Sequence, residues 1–379
     1  MKSKKKRDYQ ADLEKDLLLN PEKLEKRKKA KRKRILFAIS CGAVAVVTIA
    51  FTAFQAVRAA GRSSLYGRMQ VVPELMPVQA QELLAGEEKQ RWQEGWVKYQ
   101  DGIYAYKEEI LTFLVMGIDK GSDVKESSGG INGGQADALF LAVLDPGEKA
   151  IKVIGINRNT MADIDFYNEE GAYLSTASAQ IAIQHGFGNG MEESCERQVK
   201  AVRRLFYNLP IHGYAAINMS AIPTMNDAVG GVEVKVLEDL TRVDKNLIKD
   251  ENVHLSGKSA FWYVKYRDTN EFASADMRLE RQKQYLNGFI GAAKQAVKKD
   301  LGTALELYSA VSGQMVTDIS LDEVAYLAPI VADYRFDPEG FYMTEGKTVM
   351  GEEYEEFYVD EKALYEMILD VFYEEMEDE

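Results

Sequence analysis

The chain has 379 residues, 46% of them hydrophobic, and a formal net charge of −13. That is enough apolar material for one large core or two modest ones. Only two cysteines are present, Cys41 and Cys195, which excludes a fold held together by disulfides. The charge is divided very unevenly. Residues 1–34 carry 15 Lys+Arg against 6 Asp+Glu, a net of +9, so the remainder carries −22.

Residues 1–34 form a basic tail. They offer neither zinc-ligand spacing nor a helix-turn-helix pair, so no nucleic-acid partner is expected. Ile35–Val57 follows as an apolar run of 23 residues with Gln55 its one strongly polar member. About 20 such residues cross the hydrocarbon core of a bilayer as a helix. The run is too long for a signal-peptide core and no small-residue cleavage site follows it. An uncleaved single transmembrane helix is predicted. Lys31-Arg32-Lys33-Arg34 abuts its start, and the positive-inside rule places the N-terminus in the cytosol and the rest of the chain outside the cell. Residues 58–100 are polar and read as a stalk.

Strand-length apolar runs then begin, at Gly102–Tyr106 and Ile110–Gly117. Between Leu111 and Thr160 lie LTFLVMG, ALFLAVL and IKVIGI, each bounded by turn residues, the pattern of buried strands. Asp145-Pro146-Gly147-Glu148 joins the second and third as a turn, which makes them an antiparallel hairpin. With Leu144 opposite about Ala150, Asp137 enters one strand opposite about Arg158 leaving the other. If the first strand runs parallel to the third, Asp119 arrives at the same edge. Two carboxylates, an arginine and a Gly-rich connector there suit a divalent metal holding a phosphate ester. The connector, Lys120–Gly134, is rich in Gly and Ser and is expected to be a mobile loop.

Further along, a helix is expected around Ala177–His185, stopped by Gly186-Phe187-Gly188-Asn189-Gly190. Ser194 can cap a helix on CERQVKAVRRLFYNL. Cys195 has no evident His partner and reads as a small packed side chain. Tyr214–Asn218 reads as a strand, and Ser220 can cap a short helix with Pro223 in its first turn. Gly231–Val236 alternates as a strand. Strands alternating with helices define an α/β class with a mixed central sheet flanked by helices. The segment 301–379 mixes helix and strand signals and ends in an acidic helix, read as a solvated face.

A second cluster of charge lies at FWYVKYR, Phe261–Arg267. Read as a strand, it places Tyr263, Lys265 and Arg267 on one face. Arg278, Arg281 and Gln282 share a face of the following helix. Cations so grouped in an acidic domain suit a pyrophosphate. His185, His212 and His254 lack the spacing of a zinc site.

Seven separated blocks in this order resemble the LytR-CpsA-Psr family of membrane-anchored envelope phosphotransferases. They are GID (117–119), QADALFLAVLD (135–145), INRNTM (156–161), QHGFGNG (184–190), NDAVGGVEV (226–234), YVKYRD (263–268) and DMRLERQ (276–282). The resemblance implies a domain over residues 101–300, a three-layer mixed-sheet fold, and a lipid pocket between sheet and helices. It implies transfer of a glycopolymer, such as a teichoic acid or capsule, from undecaprenyl pyrophosphate to peptidoglycan, with Mg²⁺ as cofactor. By the same resemblance Asp119 and Asp137 hold the metal and, with Arg158, form the catalytic set. Arg158, Lys265, Arg267, Arg278, Gln282 and Gln135 line the pyrophosphate site. Three motifs depart from the family's pattern. Gln135-Ala136-Asp137 stands for Arg-Ser-Asp, Asn159 for the Asp of Arg-Asp-Thr, and Lys265 for the first Arg of Val-Arg-Tyr-Arg. A different reading follows from those departures: a non-catalytic binder of polyprenyl phosphates that scaffolds or regulates envelope assembly.

Overall fold

The structure is a computed structural model and describes residues 21–68, 73, 95–121, 123–127, 132–268 and 274–376, with side chains inside residues 21–47 described only in part. The chain divides into two compact units, residues 1–58 and 59–379. The helix Pro21–Gly67 contributes its residues as far as 58 to the first unit and the remainder to the second. The apolar run predicted as a membrane span begins in residues 35–47, whose side chains lie outside those described. Among the described residues, no helix is long and apolar enough to cross a membrane. Most of the predicted stalk (69–72 and 74–94) lies outside the described residues. Its ends do not: Leu65, at the close of the first helix, is fully buried.

The second unit begins with β1 (Trp96–Tyr99) and β2 (Gly102–Tyr106), paired antiparallel. Then come β3 (Leu111–Ile118), β4 (Ala136–Asp145) and β5 (Ala150–Ile156). The β4–β5 hairpin pairs Leu144 with Ile151 and Asp145 with Ala150, one residue from the expected register. A side hairpin of β6 (Met161–Tyr167) and β7 (Tyr173–Gln180) follows, and after the helix Glu192–Leu205 comes β8 (Gly213–Asn218). β9 (Val232–Lys235) and β10 (Asn252–Leu255) pair apart from the main sheet. Residues past 300 supply β11 (Met315–Thr317), β12 (Phe341–Met343), β13 (Gly346–Met350), β14 (Glu355–Val359) and β15 (Tyr373–Glu375).

The central sheet has six strands in the order β11-β8-β3-β4-β5-β12 and is mixed: β3–β8 and β5–β12 are parallel, the other pairs antiparallel. β4 is buried along almost its whole length, which explains its unbroken apolar sequence, since both faces of a central strand are covered. Leu139, Leu141 and Val143 belong to a core that includes residues of the helices Glu192–Leu205 and Glu361–Phe372. On the other face Ala138 and Phe140 pack with Leu279, Leu286 and Ile290 of the helix Ser274–Lys299. The expected α/β layers are thus present, and the C-terminal segment completes both edges of the sheet.

Several local expectations are corrected. Phe261–Arg267 is not a strand: the helix Gly257–Lys265 takes in its residues as far as Lys265, with Ser256 accepting from the Ser259 amide as its cap. Ala260, Tyr263 and Val264, spaced i, i+3, i+4, are the buried positions, so the helical period wins over the alternating one. Ala177–His185 is not a helix. Residues to Gln180 pair in β7, and a 3-10 turn, Ile181–Gly186, follows. Ser194 is no cap either; the helix starts at Glu192, and Ser194 Oγ instead accepts from the Gly190 amide. The acidic C-terminal helix is not merely a solvated face. Its Leu364, Ile368, Leu369, Val371 and Phe372 are buried, and β15 after it pairs with β2.

Candidate functional site

β3 and β5 run in the same direction with β4 antiparallel between them, so the end of β3, the start of β4 and the end of β5 meet at one edge. Asp119, Asp137 and Arg158 are there, as the hairpin reading required. Asp137 has a further distinction. Gly117 pairs with Ala138 and Ile118 with Ala136, so Asp137 is the residue the register skips. A bulge of this kind re-aims a side chain at the sheet's rim.

The re-aimed carboxylate sits between two guanidinium groups. Arg158 Nη1 lies 3.1 Å from Asp137 Oδ1, and Arg278 Nη1 lies 3.2 Å from Oδ2. Asp137 is 9% and Arg278 7% exposed. Burial pushes the Arg278 guanidinium below its usual range, Asp137 opposing the shift. Arg158 also donates through Nη2 to the Gln135 side-chain oxygen, while its Nε is buried without a hydrogen-bond partner. Asp119 is held differently: Lys265 Nζ lies 2.9 Å from its Oδ1, and both side chains are partly exposed. Arg267, just beyond the helix that Lys265 ends, donates from Nε to Ser274 Oγ at 3.0 Å and reaches Glu355 Oε2 at 3.4 Å.

Two of the residues singled out from the sequence face elsewhere. Arg281 is buried; it donates to the carbonyls of Tyr263 and Tyr266 and lies 2.6 Å from Glu238. It therefore fastens the C-terminal end of the helix Gly257–Lys265, where a cation is favoured by the helix dipole. Gln282 donates to the Val264 carbonyl and lines an apolar cavity. That cavity, about 120 Å³, lies among Val115, Gly117, Ala138, Met225, Val264 and Leu286, with almost no polar surface. Gly117 and Ala138 are opposed across β3 and β4, and a Cβ on Gly117 would stand 3.0 Å from that of Ala138. Small residues here keep the space open next to the charged edge.

The Gly-rich connector is tied down in its described parts. Lys120 Nζ donates to the Asn132 carbonyl, and the amides of Ser127 and Gly133 donate to Asn189 and Gly186. Residues 122 and 128–131 lie outside the described residues. Cys195, expected to lack a His partner, has one: His185 Nε2 is 3.8 Å from its Sγ. Both are buried; burial pushes the thiol up and the imidazole down to about 4. That leaves an inert thiol, not a nucleophile.

Sequence reasoning missed Glu355, Asn157 and Asp276. Asn157 donates to Asp276, whose other oxygen accepts from Thr348, and Glu355 reaches Asn159 as well as Arg267. Glu355 lies in the run Glu352–Glu356, where nothing in composition separates it from its neighbours. Its alternation with Phe357, both facing inward on β14, was the available signal.

Among the described residues, no three His, Cys, Asp or Glu side chains gather closely enough to hold a metal ion. Magnesium, however, is commonly bound by one or two carboxylates together with substrate phosphates and water. Asp119 is paired with Lys265 and Asp137 with Arg158 and Arg278, so the two carboxylates do not by themselves make a closed metal cage.

A mixed α/β sheet carrying a cationic rim beside an apolar cavity defines the class. The family follows from comparison: the LytR_cpsA_psr family matches residues 78–367, and the chain belongs to it. Among its relatives are teichoic acid transferases named polyisoprenyl-teichoic acid–peptidoglycan teichoic acid transferase TagU. That of Enterococcus faecalis is 27% identical over 230 residues, 60% of this chain and 66% of the relative. That of Bacillus cereus is 28% identical over 221 residues, 58% of this chain and 63% of the relative. The chain thus spans 63% to 66% of the length of these curated relatives. Similar solved structures include TagT bound to LI-WTA (TM-score 0.52, 18% identity, 69% of this chain and 89% of that one). Another is Bacillus subtilis TagV (TM-score 0.51, 21% identity, 69% and 94%). At these identities the likeness concerns the fold.

Proposed function

We propose that this protein transfers a glycopolymer from a polyprenyl-pyrophosphate carrier to peptidoglycan, from a position anchored in the cell membrane. The observation that carries this reading is the adjacency of the apolar cavity to the cationic rim. Ala138 lines the cavity and Asp137 beside it bears the arginines; Val264 lines it and Lys265 beside it bears an ammonium. A ligand with an isoprenoid tail and a pyrophosphate head matches both halves. The names of the relatives supply the class of polymer and acceptor, teichoic acid and peptidoglycan.

In this reading Arg158, Arg278, Arg267 and Lys265 hold the pyrophosphate, and Gln135 orients Arg158 by accepting from its Nη2. As an acceptor hydroxyl attacks the sugar-linked phosphorus, the bond to the polyprenyl phosphate breaks, and the guanidinium groups stabilise the charge gathering on that leaving group. Asp119 and Asp137 would hold Mg²⁺, which when bound neutralises phosphate charge. Arg158 and Arg278, both paired with Asp137, hold that carboxylate at the mouth of the site. Gln282 anchors the helix Ser274–Lys299 against Val264 at the cavity wall.

The membrane placement rests on the apolar run Ile35–Val57 and the basic cluster before it, with the N-terminus cytoplasmic and the second unit outside.

The test uses the full chain in detergent with a lipid-pyrophosphate-linked glycan and peptidoglycan, following release of polyprenyl phosphate. Release should require Mg²⁺, stop with a chelator, and fall by at least about 10²-fold in Asp119→Asn and Arg158→Ala. Lipid binding without release by the unaltered chain would replace transfer by the binder reading.

A further inference from the structure

Glu355 comes from β14, about 70 residues past the last of the blocks that carry the charged rim, yet its carboxylate enters that rim. It is 7% exposed. One oxygen, Oε2, lies 3.4 Å from Arg267 Nη2 and 3.4 Å from Asn159 Nδ2. The strand is seated by its backbone. The Phe357 amide donates to the Asn159 carbonyl at 2.9 Å, and Gln180 Nε2 donates to the Glu355 carbonyl at 2.7 Å.

These contacts determine which way the Asn159 amide points. Gln180 Nε2 also donates to Asn159 Oδ1 at 3.2 Å, so the oxygen is taken by a donor and the nitrogen faces Glu355. Asn159 is itself 3% exposed. A carboxylate at 159 would confront that of Glu355 where neither is well solvated, and two such charges do not both persist at close range. An amide at 159 is thus the chemical partner that permits an acid at 355. The acid in turn approaches Arg267 end-on, through one nitrogen, while Ser274 takes Nε. The guanidinium is thus gripped at two of its corners, Nε and Nη2.

We propose that Glu355 is a positioning residue of the transfer site. Its carboxylate, admitted by the Asn159 amide, fixes the Arg267 guanidinium in the orientation that meets the ligand's phosphate. This rests on the transfer reading above. It assigns the C-terminal hairpin β13–β14 a part in the reaction, with the charge at 355 and the amide at 159 acting as one unit.

The test is a cycle of Glu355→Gln, Asn159→Asp and the double variant in the full chain, at a temperature well below each variant's unfolding transition. Each single change is expected to lower kcat/KM for the lipid-linked substrate about tenfold or more, because misplacing one ligand group by about an ångström costs on that order. The double variant, which moves the charge back into the pair, should recover most of the loss. Independently of turnover, the Arg267 side-chain nitrogen signals in NMR should report slow guanidinium rotation in the unaltered chain and fast rotation in Glu355→Gln. Unchanged kcat/KM in Glu355→Gln, a double variant no better than the singles, or an equally ordered Arg267 without the carboxylate would each overturn the proposal. An inactive unaltered chain would count against transfer alone, since the guanidinium readout needs no reaction.

Discussion

Asp119 and Asp137 have the same chemistry and nearly the same address in the sheet, but opposite stakes in stability. Asp119 is 47% exposed and paired to a lysine that is itself 34% exposed, where an ion pair contributes little. Asp137 is buried between two arginines, and removing one partner of a buried pair leaves charge uncompensated. Asp119→Asn should therefore change the unfolding free energy by less than about 0.5 kcal/mol. Asp137→Asn should lower it by roughly 3 kcal/mol. Urea unfolding of both variants decides it; equal effects would mean Asp137 is not buried as described. Asp119→Asn is accordingly the cleaner variant for assays of transfer.

At the scale of elements, the helix Leu321–Asp333 shows how far a local motif reaches. Ser320 and Glu323 form a reciprocal capping box, and Glu323 also lies 2.8 Å from Arg68 at the end of the first helix. Glu323 is fully buried, so it both caps one element and ties down another. Ser320→Ala should cost about 1 kcal/mol, the usual value of a cap. Glu323→Ala should cost roughly 2–3 kcal/mol, since Arg68 loses its buried partner as well. Denaturant midpoints of the two variants test the ordering, and reversal would show that the ion pair carries no weight. Gly133 is another element-level constraint: a Cβ there would stand 2.1 Å from the His185 carbonyl, so the connector can lie against the 3-10 turn only as glycine.

The whole molecule carries a stability signature in its buried histidines. His212 Nδ1 accepts from the Thr112 amide, stitching the approach to β8 onto β3, and His185 Nδ1 bonds the Gly134 carbonyl. Burial pushes each imidazole down to about 4. The unfolded chain takes up protons near 6.5 and the folded one near 4, so stability is full above 6.5 and is lost as pH falls toward 4. By pH 5 each histidine should have cost on the order of 2 kcal/mol. Asp165 titrates lower: burial raises its pKa, but hydrogen bonds from Arg204, Thr176 and Lys200 outweigh that and hold it well below the usual range. Its contribution is lost only at more acid pH, below the unfolded carboxylate value. In His212→Asn, whose Oδ1 can still accept from Thr112, the drop in stability from pH 7 to pH 5 should shrink by about 2 kcal/mol. An unaltered slope would remove His212 from the account.

Much of the site was legible in the sequence because it depends on local rules. Apolar runs and a Pro-Gly turn dictate the β4–β5 hairpin, and hairpin register brings Asp137 to Arg158 whatever the rest of the chain does. Asp119 followed from strand direction alone. The helical contacts of Phe261–Arg267 were hidden because a seven-residue stretch can satisfy period two and period 3.6 at once, and only packing of Ala260, Tyr263 and Val264 into one core chose between them. Arg281 was grouped with the rim by spacing, yet carbonyls at a helix end, invisible in sequence, drew it away. Likewise Asp137 against Arg278, Cys195 beside His185, and Glu355 against Arg267 join residues 10 to 141 positions apart. The sequence by itself determined the strands, their hairpin and the charges at the rim, because those follow from nearest-neighbour patterns. Only the tertiary structure decided which cations point inward and which acid answers them, because burial sets the cost of every unpaired charge and burial belongs to the folded chain.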